Sequence, residues 1–265
     1  MNVTTVLTKL RVEHTNPVNY YLRTENEEIY LNKFIGTQVS LNYSGEIFCI
    51  SCGRKTNKSF GQGYCYPCFS TSPENEECVL RPELCQAHLG IARDMEYAKE
   101  HCLKDHFVYL AASSEIKVGV TRMSQIPTRW IDQGASSAIK IACTPNRFLA
   151  GQIEVSLKKH FTDKTNWRAM LTNKIIVNPN FGSSIEIINS VLEPDLKQFL
   201  LKGEFINEIH YPVNQYPEKV NSVSFDNEAQ INGVLMGIKG QYLIFDGGRA
   251  INIRKHSGYK VSVNA

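Results

Sequence analysis

The chain has 265 residues, 42% hydrophobic and 21% charged, which is enough apolar material for a sizeable core and excludes a disordered or fibrous protein. Twenty-nine Lys and Arg against 26 Asp and Glu leave a formal charge of +3, too small to mark a nucleic-acid or membrane protein unless the charges are unevenly placed. No apolar run approaches the ~20 residues of a transmembrane helix, and the first residues lack a basic start followed by an apolar stretch. The expectation is therefore a cytoplasmic protein with reduced cysteines and no membrane partner.

Residues 1–48 read as a β-rich segment. Val6 to Val12 is rich in strand formers, residues 37–43 alternate, and Ser44-Gly45 reads as a turn into Glu46-Ile47-Phe48. Residues 49–106 hold seven of the eight cysteines and show little periodicity, as expected of a segment ordered by metal. From 107 to 171 the pattern becomes one α/β unit, with strands at 107–111, 116–121 and 138–143 and a helix near 126–133. A longer helix follows, with Thr144 as N-cap, Pro145 in the first turn, and Leu149, Ile153, Leu157 and Phe161 along one face. Residues 172–265 begin mixed and end in a β meander at 232–237, 241–246 and 250–255, with Asp246-Gly247-Gly248 as a hairpin turn.

Cys49, Cys52, Cys65 and Cys68 form two CxxC knuckles separated by twelve residues. Two residues between thiolates let both sulfurs converge on one ion, and two such turns complete the tetrahedron that zinc accepts. Cys78, Cys85, His88 and Cys102 make a second, less regular set, with His101 or His106 as alternatives to Cys102. The plainer reading of that set is two buried small cysteines and a surface histidine. Four protein ligands leave no open position for water, so one or two structural Zn²⁺ ions are expected.

The unit 107–171 resembles the GIY-YIG endonuclease superfamily, in the divergent branch whose second motif reads K-[IV]-G. Phe107-Val108-Tyr109 stands for the first motif and Lys117-Val118-Gly119 for the second; Arg129, Glu154 and Asn166 follow at matching places. The resemblance implies an α+β protein and phosphodiester hydrolysis: Glu154 holding Mg²⁺ or Mn²⁺, Arg129 stabilising phosphate charge, Tyr109 positioning water, Lys117 touching phosphate. Loss of the first motif's glycine to Phe107 and of the second's tyrosine to Lys117 points equally to a domain that binds DNA or RNA without cutting it. A lysine replaces a phenol in acid–base work only with a lowered pKa. Asn166 has a plainer role as cap of a helix beginning at Trp167.

Beyond that unit, the full chain resembles an uncharacterised bacterial family of unknown function that joins zinc knuckles to such a domain. Residues 59–68, 127–135 and 163–171 carry the likeness. Residues 107–171 hold nine basic and four acidic residues, whereas 72–100 hold three and seven, so the modest total conceals a dipolar chain. Five basic residues against one acidic at 235–265, interleaved with Tyr242, Phe245 and Tyr259, either stack bases or fill a β core. Nucleic acid is the expected partner, as substrate or as ligand; a zinc-knuckle adaptor for another protein is the third reading.

Overall fold

The computed structural model describes residues 2–265. Strand β1 (Asn2–Val6) ends early, because Leu7 and Leu10 turn into the core, and the chain resumes at β2 (Arg11–Glu13), which pairs with β3 (Asn19–Arg23) and then β4 (Glu28–Tyr30). The single strand expected over Val6 to Val12 is thus two. β5 (Gln38–Phe48) runs unbroken through Ser44-Gly45. The expected turn is a bulge: Ser44, Gly45 and Glu46 stand opposite Lys260 alone, and Gly45 takes the positive φ of 80° that the excess residues require.

The cysteine-rich segment holds β6 (Lys55–Thr56), α1 (Tyr66–Thr71), short 3₁₀ turns at 73–75, 77–79, 82–84 and 87–89, and α2 (Met95–His101). Then come β7 (His106–Ala112), β8 (Ile116–Arg122), α3 (Thr128–Asp132), β9 (Ser137–Thr144) and α4 (Arg147–Leu157). Thr144 remains in β9, paired with His106, so the α4 cap falls two residues later than expected. Asn146 accepts the Leu149 N–H at 3.0 Å, Pro145 precedes the helix, and Phe161 lies beyond its end. The chain continues through α5 (Trp167–Leu171), α6 (Phe181–Val191), α7 (Pro194–Lys197), β10 (Asn207–Glu208) and β11 (Asn221–Ser222). β12 (Gln230–Lys239), β13 (Tyr242–Phe245), β14 (Arg249–Asn252) and β15 (Tyr259–Asn264) complete it, with Asp246–Gly248 as the β13–β14 turn.

The two ends of the sequence share one eight-stranded sheet, ordered β1-β15-β5-β12-β13-β14-β11, with β6 beside β5. A four-stranded sheet, β10-β9-β7-β8, lies at the centre. Its two faces are buried differently because strand side chains alternate. Val108, Leu110 and Val118 pack with Ile153 and Leu157 of α4 and with Phe181 and Ile188 of α6. Tyr109 and Ala111 join Trp130 and Ile131 in the core of the terminal sheets, with Leu7, Leu10 and Ile253. Phe245 and Tyr259 are buried there too, and Tyr242 stacks on Trp167, so these aromatics serve packing. Among the described residues no helix is long and apolar enough to cross a membrane.

Candidate metal centres and a polar cluster

The sulfurs of Cys49, Cys52, Cys65 and Cys68 lie within 4.8 Å of one another. Cys52 and Cys65 Sγ are 3.8 Å apart, which matches the roughly 3.8 Å edge of a tetrahedron with Zn–S bonds of about 2.3 Å. A disulfide would need about 2.05 Å. The first knuckle is closed by the Gly53 N–H on the Cys49 carbonyl, and the second opens α1, with Cys65 at its N-cap and Pro67 in its first turn. Burial pushes the Cys49 thiol up, yet the backbone N–H groups of Cys65, Cys52 and Ser51 outweigh it and bring Cys49 down to about 6. Thiol donation to neighbouring sulfurs raises Cys68 to about 12. Sulfurs this crowded cannot all ionise alone, and a divalent cation relieves the conflict. The donor set fits zinc.

The second cluster is Cys78, Cys85 and Cys102, all three buried, again with sulfurs within 4.8 Å. Donation from Cys102 and Cys78 carries Cys85 down to about 3 against the opposing effect of burial. His88 is not part of this cluster: it is exposed and stacks on Phe148, ring centroids 4.4 Å apart, because the 3₁₀ turn at 87–89 carries it away from the sulfurs. His101 stacks on Tyr97, and His106 Nδ1 is bound to the Lys104 carbonyl, so neither joins the three sulfurs. Three thiols fit zinc with one tetrahedral position left for another donor. Both cysteine clusters could hold zinc ions.

The central hairpin gathers the other candidate residues. Tyr109 lies opposite Gly119, and a Cβ on that glycine would stand 2.6 Å from the tyrosine hydroxyl, so only glycine admits the ring. The Tyr109 hydroxyl donates to Gln133 Oε1 at 3.1 Å, and its ring meets Trp130 edge-on. Lys117, 6% exposed, donates to Thr165 Oγ1 at 3.1 Å. Glu154, 8% exposed, faces Lys158 Nζ at 3.5 Å. Arg129 and Glu154 each act electrostatically on Tyr109 and on Lys117, so the four residues form one polar cluster. Asn166 caps α5, accepting the Ala169 N–H at 3.1 Å, while its neighbour Thr165 reaches Lys117.

Burial raises the Tyr109 hydroxyl and the Glu154 carboxyl, the latter against Lys158. Burial, helped by Arg129 and opposed by Asp163 and Glu154, brings Lys117 down to about 7. A lowered pKa is what a lysine needs to replace a phenol in acid–base work. Glu154 is paired with Lys158, and among the described residues no set of three ligand groups includes it. Sequence reasoning missed Gln133, Lys158, Asp163 and Thr165, which are ordinary polar residues until the fold places them around the cluster. The cysteine spacing, by contrast, was visible before any folding.

A search of the curated proteins and a search of the solved structures found no match. Residues 36–261, spanning both cysteine clusters, the central sheet and most of the terminal sheet, match the DUF2797 family, described as a protein of unknown function, and the chain belongs to that family.

Proposed function

We propose that the protein binds nucleic acid through phosphate contacts made by the central unit, with the cysteine clusters holding zinc as structural supports. The observation that carries this reading is the convergence of Lys117 and Arg129 with Tyr109 and Glu154 on one hairpin-and-helix junction, within a segment of nine basic and four acidic residues. Phosphate contacts dominate nucleic-acid affinity and make it fall steeply with salt. Binding of DNA and RNA, single-stranded and duplex, to the zinc-loaded protein at 50 and 200 mM salt tests it, these salt levels spanning about the range over which such contacts are lost. Salt-dependent binding weakened by Arg129→Ala is the expected result; absent or salt-insensitive binding removes the reading.

Cleavage of the bound phosphodiester is the second reading, favoured by one observation, the Lys117 amine brought down to about 7 beside Tyr109, Arg129 and Glu154. A neutral Lys117 would accept a proton from the attacking water, and Arg129 would meet the charge that grows on phosphate. Pure wild type and Lys117→Met are compared for cleavage on the same substrates, with and without added divalent ions. Equal background in both proteins leaves binding alone. Nucleic-acid binding that persists only through co-purifying partners, revealed by pull-down with and without nuclease treatment, would favour an adaptor.

A further inference from the structure

Several parts of the chain meet at a cleft of ≈ 180 Å³. Lys9 enters from the loop after β1, Arg122 from the end of β8, Arg129 from α3, Arg147 from the start of α4 and Arg254 from the turn after β14. Asp132 is the one carboxylate among the residues that line it. That carboxylate is already committed, to Lys9 Nζ at 2.6 Å and to the Gln241 side-chain N–H at 2.8 Å. Arg147, 9% exposed, lies 3.6 Å from Cys78 Sγ and donates to the His101 carbonyl at 3.3 Å. The guanidinium groups of Arg122 and Arg254 have no hydrogen bond or ion pair among the described residues.

Five cations facing one occupied carboxylate repel each other in a partly dry cleft, and an anion bound among them would relieve that repulsion. Burial also depresses Arg254, with Asp132 opposing and Arg129 adding to the effect. His106 lies in the same wall, 1% exposed; its Nδ1–H donates to the Lys104 carbonyl, which leaves the buried, unpartnered Nε2 as an acceptor for a phosphate hydroxyl. Guanidinium forks match the paired oxygens of an oxyanion, which chloride cannot offer, and a phosphate brings more charge to so many cations than a single carboxylate does.

We propose that this cleft is a binding site for a phosphate group, held by Arg122 and Arg254 opposite Lys9 and Arg129. Arg147 ties the site to the three-cysteine cluster, so the phosphate pocket and the second metal centre share a wall. The site shares Arg129 with the nucleic-acid reading but does not require it, because Arg122 and Arg254 would hold free phosphate as well as a nucleic-acid backbone.

The experiment uses the full-length, zinc-loaded protein. Inorganic phosphate is titrated against chloride at matched ionic strength while thermal unfolding is followed, and a short single-stranded oligonucleotide is titrated by fluorescence anisotropy. Wild type is compared with Arg122→Gln, Arg254→Gln and Lys99→Gln, the last a charge loss on exposed α2 outside the cleft. The expected result is saturable binding of at least one ligand, weakened roughly tenfold in each arginine variant, the loss of about one charge-assisted hydrogen bond, and unchanged in Lys99→Gln. A response to phosphate itself identifies free phosphate or a nucleotide as the source; a response to the oligonucleotide only identifies the backbone; both support the site. No response to either ligand, or equal responses in wild type and both arginine variants, overturns it. The two arginines are replaced separately, so misfolding of one variant leaves the other to decide.

Discussion

The two halves of the cysteine-rich segment solve different problems with the same residue. Residues 49–72 bring together four sulfurs over a small apolar base of Cys49, Tyr64 and Cys65, with Cys52 exposed, and hang from the end of β5. Residues 73–106 bury all three of their sulfurs and press the turn at 82–84 onto α4, where Gly151 leaves no space for a side chain. The first half is a closed staple in which a metal on the four sulfurs would order its own loop. The second half is built into the centre, through Gly151 on one side and Arg147 on the other. A metal held by the first cluster would therefore govern local order, and one held by the second would govern the helix that carries Glu154.

The largest test of that difference is Cys85→Ser. It should remove one zinc per chain and leave Arg147 beside an unmatched sulfur pair, lowering stability by on the order of 3–5 kcal/mol, as breaking a buried charge pair does. Metal analysis and urea unfolding check it; a variant that keeps both metals and wild-type stability would erase the distinction. Gly151→Ala is next. Alanine favours a helix over glycine by about 0.5–1 kcal/mol, but here its Cβ would meet the Glu83 backbone nitrogen at 2.2 Å. Backbone cannot swing aside, so overpacking of about 1–3 kcal/mol wins and the turn at 82–84 lifts off α4. Net stabilisation by this alanine would show that the second half is not pressed onto the helix.

Cys65→Ser should act more narrowly. It too should remove one zinc, and protease sites should open within residues 53–63, while the main unfolding transition moves by no more than about 0.5 kcal/mol, because the buried base around Cys65 is small and opens locally. A collapse of the whole transition would place the first cluster in the same cooperative unit as the second.

Much of this contrast was legible before folding, and its limits have physical causes. CxxC spacing is a local signal, because two residues fix the geometry of a turn, so the first cluster could be read from Cys49, Cys52, Cys65 and Cys68 alone. The second could be read only in part. Cys78, Cys85 and Cys102 meet through tertiary packing, and His88, one residue pair from Cys85 in sequence, is turned outward by a 3₁₀ turn whose geometry no spacing rule anticipates. The strands of the central hairpin were legible, yet the cap of α4 fell on Asn146, since pairing with His106 held Thr144 in the sheet. Lys9 and Arg254, 245 positions apart, share a cleft because β1 and β15 are neighbours, which no local pattern shows.

The smallest test leaves every sulfur in place and addresses the charged side of the second region. Lys117 stands at about 7 in the folded chain against an ordinary 10.5, because burial beside Arg129 disfavours its charge. Between those values the unfolded chain holds the proton and the folded chain does not, so stability rises with pH across that window and is lost again as pH falls through 7. Lys239, brought down to about 8 by burial, adds to the slope only from 8 upward. His106, at about 4, acts below its ordinary 6.5 and stays outside the window. Lys117→Met should therefore flatten the dependence between pH 7 and 8 while leaving the Lys239 part above 8. Urea midpoints of both proteins at half-unit steps from pH 7 to 9 check this. Parallel curves over pH 7–8 would mean that Lys117 keeps its charge beside Arg129 at neutral pH, and with it would fall the proton-accepting role that the cleavage reading gives this lysine.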